Sequence, residues 1–249
     1  MPSQVIAFTV SGLREKYLRE TLSSWGRVRG VQDWHLVFAL EPCRHAFPVA
    51  EFAQWVRRCF ASAEVVVADS QLGCLRNTRR AMRLSFDRGA EFAILAEEDI
   101  RVSDDVLEYF TWARDTYAAE EQVTAVCAHS LRTEAGGDAD VVLREWFNPI
   151  VWGTWKDRWD TFIEPGWGAY EGNAESWDNN LRVQVALAGR QSVFPVRSRS
   201  LHTGQTSTLT RAPLSEYFYQ QALSSSFTAH REPCSYAEIP FSRKLGLLV

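Results

Sequence analysis

No stretch of the chain is apolar for the roughly 18 to 20 residues that a membrane-spanning helix needs, so such a helix is excluded. The N-terminus, Met1-Pro2-Ser3-Gln4, lacks the basic region of a signal peptide, and the apolar run at 5–10 is too short for its hydrophobic segment and ends in Ser11-Gly12. Cysteine is sparse: Cys43, Cys59, Cys74, Cys127 and Cys234 are an odd count of five with no CxxC spacing. That pattern argues against a zinc site or a disulfide framework and fits a reducing compartment, so a cytoplasmic location is expected. There is no P-loop, GxGxxG, HExxH or GxSxG motif, which argues against an ATPase, a Rossmann dehydrogenase, a zincin and a serine hydrolase. Charge of neither sign dominates. The formal net charge of -4 excludes a protein that is polyanion-binding over its whole surface, though a local basic patch remains compatible with it. Internal repeats, low-complexity segments and linkers that would divide the chain are absent as well.

What is present is enough apolar sequence for one sizeable core: 249 residues at 46% hydrophobic composition suit a single α/β domain or two fused halves. Short β-rich runs alternate with helical patterns. Strands are predicted at 5–10, 35–40, 65–68, 92–95 and 123–128, with helices at about 14–25, 49–60 and 74–88 and a further one opening at Ser103 as its N-cap. Strand–helix–strand repetition with near-continuous apolar strands means a mostly parallel, doubly wound sheet covered on both faces, which binds ligands at the carboxyl ends of its strands. The second half is less regular. Residues 148–180 are dense in Gly, Trp, Pro and Asn, a helical pattern follows, a strand is predicted near 192–196, and 198–210 reads as a polar loop. Ten tryptophans serve either the core or a sugar site, since indole faces stack on sugar rings. Trp152, Trp155 and Trp167, flanked by Gly153, Gly166 and Gly168, are the candidates for such a wall.

The strand at 92–95 runs into Glu97-Glu98-Asp99. A buried strand avoids charge unless it is leaving the sheet or holding a cation. Period-2 alternation would send Glu97 and Asp99 to one side and Glu98 to the other. Mg²⁺ or Mn²⁺ takes one or two protein carboxylates and completes its shell with water and substrate phosphates, so a short cluster suffices. The same residues also suit an acidic loop leading into a helix, with Asp99, Asp104 and Asp105 serving its dipole.

Read together, residues 92–110 (FAILAEEDIRVSDDVLEYF) resemble the apolar strand, EDD motif and following helix of the Golgi alpha-mannoside beta-1,2-N-acetylglucosaminyltransferase family. Trp177-Asp178-Asn179-Asn180-Leu181-Arg182, then Phe194-Pro195, then Ser198-Arg199-Ser200, are similar to that family's WDDWxR, RPE and SRT segments, and 75–82 is similar to its arginine-rich helix. The resemblance implies a GT-A glycosyltransferase fold. Residues 1–128 would form the nucleotide-sugar half and 129–249 an irregular acceptor-side half of one domain. It also implies an inverting, Mn²⁺-dependent transfer (or Mg²⁺) from a UDP-sugar. By matched position, Asp99 corresponds to the metal ligand, Glu97 and Glu98 to donor-sugar and ribose contacts, and Asp178 to the general base with Trp177 beside it at the donor. Glu41 sits where that family has an acidic uracil contact, and Asn77 falls near a uracil-contacting histidine. The chain departs from the pattern at Glu98, Asn179 and Asn180, which leaves the donor sugar and the acceptor open.

Other residues complete the candidate set. Glu175 is a second carboxylate near Asp178 that suits the base, which must lie near the acceptor hydroxyl and opposite the leaving group. His202, in a Gly/Ser/Thr-rich stretch, suits a metal ligand or a diphosphate contact, and Arg199 is a further diphosphate candidate. Arg14 follows the first strand, where nucleotide-binding folds approach the donor. Arg76, Arg79, Arg80 and Arg83 share one helix face, which reads as a solvated face, as a donor phosphate contact from Arg76, or as a strip for a polyanionic acceptor. The acceptor hydroxyl belongs to a glycan, a metabolite or a modified base in viral DNA. A nucleotidyltransferase and a non-catalytic sugar-binding protein are the alternatives of other classes.

Overall fold

A computed structural model describes residues 4–10, 15–42, 49–130, 136–169, 177–204 and 227–240. In chain order the strands are β1 (Gln4–Val10), β2 (His35–Leu40), β3 (Glu64–Val67), β4 (Phe92–Glu97), β5 (Ile100–Val102), β6 (Val123–Cys127), β7 (Asp140–Arg144), β8 (Trp152–Trp155), β9 (Gln191–Pro195), β10 (Ser200–His202) and β11 (Ala237–Glu238). The helices are α1 (Glu15–Trp25), α2 (Val49–Cys59), α3 (Cys74–Asp87), α4 (Val106–Thr116), α5 (Lys156–Arg158) and α6 (Trp177–Leu187). Nine strands form one sheet in the order β11-β7-β9-β6-β8-β4-β1-β2-β3. β4, β1, β2 and β3 are mutually parallel, whereas β8 runs antiparallel to both β4 and β6. The sheet is continuous from residues of the first half into residues of the second.

Alternation along the parallel strands separates two cores. Ile6, Phe8 and Val10 of β1, with Phe38 of β2 and Ile94 of β4, face the helices α1, α2 and α4. Val5 and Ala7, with Val37, Ala93 and Leu95, face α3 and α6. Because both faces are covered, these strands read as continuous apolar runs instead of alternating ones. On the first face Phe8 stacks on Phe38 at 4.5 Å, and Trp25 of α1 meets Phe8 edge-on at 5.3 Å.

The predicted elements of the first half appear within one or two residues. Two details differ. Ser103 does not cap α4: its hydroxyl is drawn to Asp105 Oδ1 at 2.5 Å, and Asp105 occupies the N-cap position. The stretch 148–180, expected to be irregular, contains β8 in the middle of the sheet. Its sequence, Trp-Gly-Thr-Trp, pairs there because Gly153 lets the Phe92 ring lie against the backbone; a Cβ at 153 would sit 2.7 Å from that ring. Trp152 and Trp155 are consequently buried core residues and not a sugar-facing wall. No helix among the described residues is long and apolar enough to cross a membrane.

Candidate active site

Because β4, β1 and β2 are parallel and in register, their carboxyl ends, Glu97, Val10 and Leu40, share one edge of the sheet. β4 ends at Glu97, and Glu98 and Asp99 form a turn instead of continuing the strand, so the alternation expected across the triplet stops at its first member. Glu98 and Asp99 are each 3% exposed. The turn leads into β5, which pairs antiparallel with β10 so that His202 faces Ile100. That register brings His202 Nε2 to 3.3 Å from Asp99 Oδ2.

Neighbours hold this turn by its backbone. The Asp99 carbonyl accepts hydrogen bonds from Thr203 N–H at 2.8 Å and from the Thr203 hydroxyl at 2.9 Å. The Glu98 carbonyl accepts one from the Thr21 hydroxyl of α1 at 2.9 Å, and Val102 N–H donates to Ser24 Oγ at 3.2 Å. The contacts join residues some 77 to 104 positions apart, which is why Thr21, Ser24 and Thr203 carry no signal in the sequence.

A second group converges on Glu97. Cys74, in the first turn of α3, has its thiol pushed up to about 12, first by burial and then by the Glu97 carboxylate, with Trp177, Thr78 and Asp178 also acting on it. The end of β4 and the first turns of α3 and α6 therefore meet around this side chain. Both helices present N-termini, the positive ends of their dipoles, to an acidic edge. Trp177 is braced from both sides: it stacks on Trp167 at 5.5 Å with planes 6° apart and on Trp152 at 6.0 Å. Trp167 Nε1 in turn donates to the Leu75 carbonyl of α3 at 3.1 Å. Asp178 is partly exposed, and Arg182 one turn later approaches it at 3.4 Å.

Three residues expected at the donor are engaged elsewhere. Glu41 is buried, and its Oε2 accepts the Leu72 and Gly73 amides at 2.7 and 2.8 Å. It shapes the loop into α3, where Gly73 takes a φ of 78°, a conformation that favours glycine. Asn77 is buried, donates from Nδ2 to the Ala39 carbonyl at 3.0 Å and accepts from Arg80, so it ties α3 to β2. Arg199, expected at the diphosphate, is fully buried and ion-paired with Asp105 at 3.0 Å, with its other nitrogens on the carbonyls of Arg197 and Asp138. Arg76 is exposed at the first turn of α3. Arg79 and Arg83 share Glu164, and Arg80 turns to the Val66 carbonyl, so the four arginines do not form one free strip. Arg14 and Glu175 lie outside the described residues.

His129, just after β6, was not anticipated. It is fully buried, its Nδ1 lies 3.0 Å from the Ser200 carbonyl at the start of β10, and its Nε2 has no hydrogen-bond partner among the described residues. Burial lowers its pKa to about 4. No group of three or more His, Cys, Asp and Glu side chains among the described residues is arranged to hold a metal ion.

No family model matches the chain, and no curated protein does. Solved structures do match it. A crystal structure of TarS 1-349 from S. aureus superposes with a TM-score of 0.55 at 11% identity, covering 90% of this chain and 71% of that one. The mannosyltransferase PcManGT from Pyrobaculum calidifontis, in complex with GDP-Man and Mn2+, superposes with a TM-score of 0.54 at 12% identity, covering 78% of this chain and 55% of that one. The architecture is the GT-A fold, a mixed α/β structure built on one large, mostly parallel sheet with helices on both faces.

Proposed function

We propose that this protein is a glycosyltransferase that moves a sugar from a nucleoside-diphosphate sugar to an acceptor hydroxyl. The observation that carries the reading is the meeting of Asp99 and His202 at the carboxyl edge of β4, where this class of sheet binds ligands. The fold supports it, and one of the neighbours of that fold is a mannosyltransferase with GDP-Man and Mn2+ bound.

The two side chains fit a divalent cation as a pair. Two ligands at about 2.1 Å from a metal and at right angles to one another are about 3 Å apart, close to the 3.3 Å between His202 Nε2 and Asp99 Oδ2. With no larger cage among the described residues, the remaining positions would belong to water and diphosphate oxygens, the arrangement Mg²⁺ and Mn²⁺ commonly take. Such an ion supplies charge neutralisation at the departing diphosphate. Asp178 takes the proton from the acceptor hydroxyl, which attacks the anomeric carbon opposite the diphosphate and inverts it. Glu97, near the same thiol as Asp178, orients the sugar, and the ribose contact assigned to Glu98 rests on the family resemblance alone. Trp177 is 3% exposed and held between Trp152 and Trp167, so it braces the start of α6 beside Asp178 and does not offer a ring face to the sugar. Arg76, exposed at the helix start, contacts donor phosphate.

Uridine as the base rests on the family resemblance alone, since Glu41 and Asn77 are committed to the loop and to β2. Among acceptors, a glycan or small metabolite is favoured over a base in DNA, because Arg79 and Arg83 are already paired with Glu164.

The test is a thermal-shift panel of UDP- and GDP-sugars with and without Mn²⁺. A ligand at 100 times its Kd adds about 2.7 kcal/mol to folding stability. Stabilisation by one nucleotide-sugar that requires Mn²⁺ is expected. Indifference to every nucleotide-sugar in the presence of Mn²⁺ would overturn the reading.

A further inference from the structure

Below the Asp99–His202 pair, at the other end of the β5–β10 ribbon, lies a fully buried ion pair, Asp105 with Arg199. Asp105 uses both oxygens: Oδ1 accepts from the Ser103 hydroxyl at 2.5 Å, and Oδ2 accepts from Arg199 Nε at 3.0 Å and from the Tyr236 hydroxyl at 2.8 Å. The Tyr236 ring also faces the Arg199 guanidinium at 5.4 Å. The backbone joins the same point, since Ser103 N–H donates to the Arg199 carbonyl at 3.0 Å and Arg199 N–H to the Ala128 carbonyl at 2.8 Å. Three segments far apart in sequence, the start of α4, the start of β10 and the 227–240 segment, are thereby fastened together.

The ribbon above this fastening is short, with three residue pairs, Ser200 with Val102, Leu201 with Arg101 and His202 with Ile100. A two-stranded ribbon is at best marginally stable alone. α1 secures the turn and β5 through Thr21 on the Glu98 carbonyl and Ser24 on Val102 N–H. β10 is held by Thr203 on the Asp99 carbonyl at its far end and, at its base, by Ser200 against His129 and Ile150 and by the buried pair that precedes it. Replacing a buried ion pair by apolar residues often leaves stability unchanged or raised, so a fully satisfied pair here is weakly explained by stability.

We propose that Asp105, Arg199 and Tyr236 are positioning residues: they set the register and tilt of β10 and so place His202 against Asp99, and the C-terminal 227–240 segment contributes to the site through Tyr236. This goes beyond the assignment of the metal pair and depends on it only for its catalytic consequence. The Tyr236 ring also packs against Tyr109 and Trp112, each at 5.7 Å between ring centres, so it is held independently of its hydroxyl.

The test uses the full chain and two mild variants, Tyr236→Phe, which removes one donor to Asp105 and keeps the ring, and Arg199→Lys, which keeps the charge. Amide hydrogen exchange is read at Thr203, whose N–H donates to the Asp99 carbonyl at the far end of the ribbon, and at Phe8 in the interior strand β1. Exchange at Thr203 faster by about tenfold, with Phe8 unchanged, is expected from loss of a hydrogen bond to a charged group. Mn²⁺ affinity in the presence of UDP or GDP, measured by paramagnetic titration, should weaken in step. Unchanged protection at Thr203 would overturn the proposal, as would an equal loss at Thr203 and Phe8, which marks a general contribution to stability. A wild-type protein that binds neither nucleotide with Mn²⁺ would count against the glycosyltransferase reading, while the Thr203 comparison still decides the role of the buried pair.

Discussion

Nε2 of His202 lies 3.3 Å from Oδ2 of Asp99, although the two residues are 103 positions apart and belong to different elements. The contact exists because β10 pairs with β5 and because Thr203 fixes the Asp99 carbonyl from the same side. Asp99→Ala is expected to abolish Mn²⁺-dependent nucleotide-sugar binding. Changes one shell out from a metal cost 10–100-fold in affinity, so loss of a direct ligand should exceed about 100-fold. Titration calorimetry of the donor with and without Mn²⁺ checks this, and retained full affinity would remove Asp99 from the metal site.

The proposed base, Asp178, gives a test that separates binding from chemistry. It stands in the first turn of α6 and keeps contact with Arg182, so an isosteric amide should hold its place. Asp178→Asn is expected to bind donor with a Kd within about twofold of wild type and to lose about 10²- to 10⁴-fold in turnover, the range a general base contributes. Near-normal turnover would move the base to another carboxylate, with Glu175 the next to test.

The apolar strands and the acidic turn were legible from sequence for a physical reason. Parallel strands buried on both faces are continuous apolar runs, and Glu97-Glu98-Asp99 interrupts such a run in a way a core does not tolerate. The Golgi-family resemblance pointed to the same turn. β8 was hidden because Trp152-Gly153-Thr154-Trp155 has weak alternation and a glycine, and its place comes from tertiary pairing on both sides. Glu41, Asn77 and Arg199 were expected at the donor because each lies next to the carboxyl edge or in a matched motif. Sequence position does not report which way a side chain turns, and each of the three turns inward to satisfy backbone groups.

Gly153 should be among the least replaceable positions of the fold. A Cβ there would lie 2.7 and 2.8 Å from atoms of the Phe92 ring and 3.2 Å from the Ala93 carbonyl, and Phe92 is itself packed edge-on against Trp155 at 5.3 Å. Overpacking of this kind costs about 1–3 kcal/mol, or a fall of roughly 2–10 °C in Tm at this chain length. Calorimetry of Gly153→Ala measures it. Recovery in the double variant Gly153→Ala, Phe92→Leu would locate the clash at the ring, and a single variant as stable as wild type would mean that β8 does not sit against Phe92.

His129 predicts a pH dependence of stability. Its imidazole is buried against the Ser200 carbonyl, and burial lowers its pKa from 6.5 to about 4. The folded state therefore resists protonation in a range where the unfolded chain accepts it. The stabilisation is complete above about pH 6.5 and is lost progressively as pH falls toward 4, where the folded form finally takes the proton. A difference of this size corresponds to about 3 kcal/mol across the whole window. Urea unfolding midpoints measured between pH 7.5 and 4.5 should decline, and the decline should be shallower in His129→Gln, which cannot titrate. Equal slopes in the two proteins would place the acid sensitivity in other groups and remove His129 as its source.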